Sequence, residues 1–290
     1  MKSAETFSKL ENIIIPNHLV VACQNDPASM AWLNQLPNTI KQLQEEWSLR
    51  LAAPLTVDAS CSWVAPCLRA DNTPAILKLG MPHMEAEHEI DGLLFWQGDP
   101  TVLLLEADRE RNAMLLERCV PGTSLGTRPA SEQDQVIATI LKRMWRRPPT
   151  APFRPLTQMI AEWNRESREQ LAHWPDPELA REGVQLRTEL AANATESVML
   201  ATDLHAGNVL RAEREPWLAI DPKPFYGDPA YDATQHLLNC QQRLLADPQG
   251  VICGFADLLE VDCQRVQQWL FARLAAEFGG TLQTLAREVL

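Results

Sequence analysis

Three oxygen-bearing side chains stand close together in the second half of the chain: Asp203, Asn208 and Asp221, within the stretch Val198 to Asp232. Asp203 precedes Asn208 by five residues, and Asn208 precedes Asp221 by thirteen. Two short apolar runs, Val198-Met199-Leu200 and Trp217-Leu218-Ala219-Ile220, lead into the polar clusters, as buried strands do when they present chemistry at loop mouths. A loop, a short hairpin beginning at Val209-Leu210 and a second loop would bring the three side chains to one mouth. Phosphoryl transfer uses such a set: an acid that orients a hydroxyl, and amide and carboxylate oxygens that hold magnesium on the phosphates. Asp, Gly and Asn are also ordinary turn formers, so the same residues read as two hairpin corners.

The elements that must position these residues follow in order. Residues 1–54 carry Ile13-Ile14-Ile15-Pro16, a short strand or anchor, and a helical pattern of Trp32, Leu33, Leu36, Ile40, Leu43 and Trp47 that Pro37 is expected to split in two. From Leu55 to Leu116 the pattern is β-like: Leu55-Thr56-Val57, Ser62 to Leu68, a turn at Asp71-Asn72, Pro74 to Leu79, Thr101 to Glu106 and Ala113 to Leu116. A helix from Met84 to Trp96 interrupts it, with Ile90, Leu93 and Leu94 inward. Lys78 interrupts an apolar strand, so its ammonium either snorkels to solvent or meets an anion. The strand ending in Glu117-Arg118-Cys119 runs into Pro121-Gly122, a breaker suited to a lobe boundary. Beyond it the chain is helical: Ser131 to Trp145, Leu156 to Trp174, Pro177 to Asn193, Tyr231 to Leu245, Val251 to Glu260 and Val261 to Phe278. The fold class is α+β: an N-terminal helical extension (1–54), a small antiparallel β-sheet lobe (55–120) and a helical lobe (121–290) with an inserted hairpin.

Composition bounds the partners. With 38 acidic against 26 basic residues the formal charge is -12, which argues against a nucleic-acid partner and suits a cationic ligand. No window approaches eighteen consecutive apolar residues, so no ordinary transmembrane helix is expected, and MKSAETFSKLENIII lacks the apolar core of a signal peptide. The seven cysteines are scattered without a C-x-x-C pair, which reads as reduced, mostly buried thiols in a cytoplasmic protein. The expected assembly is a monomer or homodimer.

Lys78, the Leu115-Leu116-Glu117 strand end, Asp203-Leu204-His205-Ala206-Gly207-Asn208, and Asp221-Pro222 with Gly227-Asp228-Pro229-Ala230-Tyr231-Asp232 together resemble the aminoglycoside and hydroxyurea antibiotic-resistance kinases. That branch includes the streptomycin 6-phosphotransferases, and its fold is the bilobal protein-kinase-like one. The resemblance implies ATP and Mg2+ as cofactors. It makes Asp203 the catalytic base and Asn208 and Asp221 the magnesium ligands, with Lys78 on the nucleotide phosphates. A helix glutamate should pair with Lys78; Glu87 is the choice, with Glu85 and Glu89 as alternatives. Backbone groups at Glu117 and Cys119 would meet adenine. The nucleotide-covering loop, Val57 to Trp63, has no glycine, so Ser60 and Ser62 hydroxyls are expected on the phosphates. Family members usually carry His-Gly before the catalytic Asp, where this chain has Ala201-Thr202. His205 is expected to bond within the catalytic loop; with Asp228 and Asp232 it also lines a possible acceptor pocket, although Asp232 is equally placed to cap a helix.

The expected activity is phosphorylation of a hydroxyl on a small cationic antibiotic, plausibly streptomycin. Two rivals stand beside it: a kinase of another small alcohol such as hydroxyurea, choline, homoserine or a sugar, and a nucleotide-binding protein with little activity.

Overall fold

The computed structural model describes residues 6–9, 12–24, 26–56, 61–277 and 280–289. The chain divides into two compact units, residues 1–122 and 123–290.

In the first unit, helices α1 (Asn17–Cys23) and α2 (Pro27–Glu46) precede a five-stranded sheet. Its strands are β1 (Arg50–Leu51), β2 (Ser62–Leu68), β3 (Pro74–Gly80), β4 (Leu104–Asp108) and β5 (Ala113–Glu117), in the order β1-β2-β3-β5-β4. Every pairing is antiparallel. Helix α3 (Glu89–Trp96) lies between β3 and β4 in sequence, after a separate 3-10 turn at Met84–Ala86. Leu36, Ile40 and Leu43 of α2 are buried in one cluster with Trp63, Ala65, Leu77 and Leu79 of the sheet. The N-terminal helices therefore share the sheet's core.

Several expectations are corrected here. Pro37 lies inside one continuous helix and does not split it. The apolar stripe runs through Leu33, Leu36, Ile40 and Leu43, so packing on both sides of the proline outweighs the one hydrogen bond it forfeits. Residues 13–15 form no strand; Ile13 and Ile15 pack on the core, and the Ile14 carbonyl accepts from Trp63 Nε1 at 3.0 Å. Leu55 forms no strand either, although its N–H bonds the Val64 carbonyl at 2.8 Å, and Val57 lies outside the described residues. The strand read at Thr101 to Glu106 begins instead at Leu104.

In the second unit, α4 (Ala130–Met144), α5 (Leu156–Gln170), α6 (Pro177–Ala192), α7 (Pro229–Leu238), α8 (Gln241–Ala246), α9 (Pro248–Leu259), α10 (Cys263–Ala276) and α11 (Gln283–Glu288) surround two small sheets. One sheet orders β6 (Arg154–Pro155), β10 (Phe225–Gly227) and β7 (Val198–Leu200), with β10 in the middle. The other is the hairpin of β8 (Val209–Arg211) and β9 (Trp217–Ala219). Asp176, Asp228 and Asp247 each cap a helix whose first residue is proline, with the carboxylate accepting a backbone N–H. Asp228, not Asp232, is the cap of α7.

Cys253 and Cys263 form a disulfide, against the expectation of seven reduced thiols. The two lie ten residues apart on consecutive helices, Cys253 midway along α9 and Cys263 at the start of α10, with their Cα atoms 4.9 Å apart. Sequence spacing without a C-x-x-C pair did not reveal that proximity.

Helices α6 and α10 approach closely because small residues face each other. A Cβ on Gly183 would come within 2.8 Å of both the Ala272 carbonyl oxygen and the Ala275 Cβ. A Cβ on Gly254, exposed on α9, would meet nothing within 4 Å. Gly183→Ala should therefore lower the melting temperature by roughly 3–10 °C through overpacking. Gly254→Ala should leave it unchanged or raise it by about 1–3 °C through helix propensity. Thermal unfolding followed by circular dichroism reads both signs.

Candidate active site

Strand β7 runs into the loop that carries Asp203 and Asn208, and β9 runs into the loop that carries Asp221. The hairpin ladder sets their proximity: Val209 pairs with Ala219, and one step further the Ile220 N–H bonds the Asn208 carbonyl at 2.9 Å. The loop, hairpin and second loop read from the spacing are thus the observed arrangement.

The Asp203 loop is strained and braced. Thr202, immediately before Asp203, has φ +51°, in the left-handed region that favours glycine. Threonine occupies the position at which family members usually carry glycine. Its hydroxyl donates to the Lys223 carbonyl at 2.6 Å, so a contact glycine lacks accompanies the strained backbone. Beneath the loop, Asp232 accepts from the backbone N–H groups of Ala201 (2.9 Å) and Thr202 (2.8 Å) and from Trp145 Nε1 (3.0 Å). Burial pushes the Asp232 carboxyl up to about 6, against the pull of those donors.

Asp203 itself stays accessible, its side chain 21% exposed. Its Oδ2 lies 2.6 Å from Lys223 Nζ, and its Oδ1 accepts from Gln235 Nε2 at 2.7 Å. Gln235 Oε1 in turn accepts from Arg273 Nη2 at 3.0 Å. Asn208 Nδ2 donates to the Asp203 carbonyl at 3.0 Å, which turns the amide oxygen of Asn208 away from that bond. Asp221 has φ +54°, a second left-handed residue at the mouth. Amide and carboxylate oxygens are the hard donors that magnesium takes, so Asn208 and Asp221 fit that ion chemically.

His205 caps the turn Ala206–Asn208, its Nδ1 accepting from the Gly207 N–H at 3.1 Å. Burial holds its imidazole below the ordinary value, against the pull of Asp203 and Asp221. It therefore sits beside both carboxylates as a loop-bracing group.

Asp228 and Asp232 do not line an acceptor pocket. Asp232 is 2% exposed and committed to the loop amides. Asp228 is 3% exposed, caps α7 and receives Arg265 Nε at 2.5 Å and Trp269 Nε1 at 2.7 Å. Their carboxylates face the interior because each satisfies donors there that would otherwise be buried unpaired.

Another cluster of ligand-type side chains lies close by in the fold, at Asp134, His236 and Cys240. It is already occupied by a cation: Arg243 donates to both Asp134 oxygens at 2.6 and 2.9 Å, while His236 Nε2 lies 2.7 Å from Oδ1.

In the first unit, Lys78 is 6% exposed, and its Nζ reaches Glu89 Oε1 and Oε2 at 2.6 and 2.7 Å. The partner is Glu89 and not Glu87. Continuous helical phase from Met84 favoured Glu87, but the segment is a 3-10 turn followed by a helix that starts at Glu89. That break leaves Glu87 exposed and buries Glu89. At the end of β5 the Glu117 carboxylate accepts from the Leu103 N–H at 2.9 Å, and Cys119 is buried. Ser62 opens β2 half-buried, opposite Gly80; Ser60 lies outside the described residues.

Lys223, Gln235 and Arg273 were not singled out from the sequence. Lys223, between Pro222 and Pro224 just after Asp221, was the one with a visible signal.

Comparison with known proteins agrees with this geometry. A sequence model of the aminoglycoside/hydroxyurea antibiotic resistance kinases matches residues 47–278. Streptomycin 6-kinase of Streptomyces griseus is 35% identical over 280 residues, spanning 92% of this chain and 91% of the relative. Hydroxyurea phosphotransferase of Kitasatospora aureofaciens is 36% identical over 257 residues, spanning 85% and 73%. Among solved structures, choline kinase LicA from Streptococcus pneumoniae superposes with a TM-score of 0.62 at 16% identity, covering 87% of this chain and 91% of that one. Aminoglycoside phosphotransferase APH(4)-Ia gives 0.54 at 13%, covering 87% and 99%. The structural likenesses establish the protein-kinase-like fold, and the sequence matches establish the lineage: the chain belongs to the aminoglycoside/hydroxyurea antibiotic resistance kinase family, ATP-using phosphotransferases with a hydroxyl acceptor.

Proposed function

We propose that this protein transfers the γ-phosphoryl group of ATP to a hydroxyl of streptomycin or a close aminoglycoside, inactivating it in the cytoplasm as a monomer or homodimer. The observation that carries the reading is Asp203, partly exposed at the loop mouth, with Asn208 bonded to its backbone carbonyl and with Asp221, like Asp203, near enough to act on His205. Similarity to two streptomycin 6-kinases, at 35% and 34% identity over nine-tenths of the chain, supports the acceptor. The net charge of -12 suits a polycationic one.

In this mechanism Asp203 orients the acceptor hydroxyl and takes its proton as the oxygen attacks the γ-phosphorus. Asn208 and Asp221 would hold Mg2+, which when bound would offset charge on the phosphates. Lys78 gives its ammonium to the nucleotide phosphates, kept in place by Glu89. Glu117 and Cys119 offer backbone groups to adenine, and Ser62 offers a hydroxyl. Residues 1–54 serve as a packed extension, 55–120 as the nucleotide-binding lobe and 121–290 as the catalytic and acceptor lobe. The Thr202 hydroxyl bond favours a competent loop over a catalytically dead one.

The hydroxyurea phosphotransferase likeness, at 36% identity, favours hydroxyurea as the second acceptor to examine. Incubation with labelled ATP, magnesium and a panel of aminoglycosides, hydroxyurea, choline and homoserine decides between them. Transfer to streptomycin is expected, reduced about 10²–10⁴-fold in Asp203→Ala. Transfer to none of the aminoglycosides removes the acceptor assignment. In the same assay Glu89→Gln should lower kcat/KM for ATP roughly 10²-fold, because it strips the counter-charge from a buried ammonium. Glu87→Gln, at an exposed position, should stay within about twofold of the unaltered enzyme.

A further inference from the structure

Asp232 and Gln235 stand three residues apart on α7, so one face of that helix carries both. That face holds the Asp203 loop at two levels. Asp232 receives the backbone N–H groups of Ala201 and Thr202 at 2.9 and 2.8 Å, and Gln235 Nε2 donates to Asp203 Oδ1 at 2.7 Å. Asp232 thus sets the path of the backbone, and Gln235 meets the side chain that this path delivers. The other Asp203 oxygen lies 2.6 Å from Lys223 Nζ, a compact charge rather than a planar donor.

The Gln235 amide has one direction only. Its Oε1 accepts from Arg273 Nη2 at 3.0 Å, and Arg273 is 3% exposed, with Nη1 on Thr234 Oγ1 at 2.8 Å and Nε on Glu277 Oε2 at 3.1 Å. Reversing the amide would set N–H against N–H on one side and oxygen against carboxylate on the other, and a buried guanidinium donor would lose its acceptor. A glutamate in its place would satisfy Arg273 as an ion pair, yet it would give Asp203 no donor and turn a like charge toward it. A methionine or leucine would serve neither neighbour. The neutral amide is the side chain that meets a cation with an acceptor and a carboxylate with a donor at once.

We propose that Gln235 is a positioning residue for phosphoryl transfer: it fixes the Asp203 carboxylate against the acceptor hydroxyl, with its own direction imposed by Arg273. The proposal rests on Asp203 being the base. In the step it serves, the acceptor oxygen bonds to the γ-phosphorus as its proton passes to the Asp203 carboxylate. The bond from the γ-phosphorus to the bridging oxygen breaks, and its electron pair leaves on ADP. Gln235 and Arg273 exchange no proton. Their part is geometric, and a misplacement of about 1 Å in a reacting group costs on the order of 10²-fold in rate.

Initial-rate kinetics with Mg-ATP and streptomycin on Gln235→Glu, Gln235→Met, Gln235→Leu and Asp203→Ala test this, with melting temperatures measured alongside. Gln235→Glu keeps an acceptor for Arg273 and should melt no lower than the two apolar variants. All three Gln235 variants should nonetheless lose about 10–10²-fold in kcat, with the KM for each substrate within about threefold. If one apolar variant fails to fold, the other carries the comparison. A loss in the apolar variants alone means that Gln235 only satisfies Arg273, and a loss in Gln235→Glu alone means only repulsion at Asp203; each overturns the proposal. So does a kcat within about threefold of the original in all of them while Asp203→Ala is inactive, or a loss confined to KM. An Asp203→Ala variant as active as the unaltered enzyme, or an unaltered enzyme that transfers phosphate to no acceptor, removes the base assignment and this proposal with it.

Discussion

A carboxylate buried without water must be met by donors, and around Asp232 that requirement shapes the loop that carries Asp203. Its donors are the N–H groups of Ala201 and Thr202 and the Trp145 indole. Two consecutive backbone amides turned toward one side chain force a tight bend, and Thr202 reaches φ +51° there. The bend carries Asp203 out to the mouth. The same segment receives Lys223 through two backbone contacts, so the loop after β9 is set by the loop after β7. Removing the Asp232 carboxylate would orphan three donors at once, a cost that falls on the loop geometry as much as on stability.

A second constraint comes from buried cations. Arg187, fully buried, bonds Asn164 and Ser167 of α5. Arg273 of α10 reaches Thr234 and Gln235 of α7, with its guanidinium 4.8 Å from the Tyr231 ring centroid. Glu277 is shared by both arginines. Charges taken out of water demand such complete pairing, and in satisfying it they tie α6 to α5 and α10 to α7 and fix the direction of the Gln235 amide. Helix packing and the orientation of the Asp203 carboxylate are thereby coupled through one network.

Much of this was legible in the chain, and the misses have common causes. The β7–loop–β8–β9–loop arrangement could be read because its signal is local: short apolar strands, turn residues and fixed spacing. Lys78 stood out because a lysine inside an apolar strand demands an anion. Its true partner Glu89 was passed over for Glu87 because the helix starts later than continuous periodicity suggests. Asp228 and Asp232 read as solvent-facing because their burial comes from helices distant in sequence, with Trp145, Arg265 and Trp269 as donors. Gln235 contacts Asp203 across 32 residues, and no local pattern signals such a contact. The disulfide between Cys253 and Cys263 depends likewise on how two helices meet.

The first unit answers its own electrostatic problem separately, by giving the buried Lys78 ammonium a bidentate glutamate. In each unit a charge that the sequence makes expensive is matched by a partner that fixes its direction, and fixed direction is what phosphoryl transfer asks of its residues. The central claim is that Asp203 acts in the transfer step itself. Rapid-quench single turnover of prebound Mg-ATP and streptomycin measures that step directly. The account predicts that Asp203→Asn slows it by about 10²–10⁴-fold with nucleotide affinity unchanged. Equal single-turnover rates in the two proteins would contradict it.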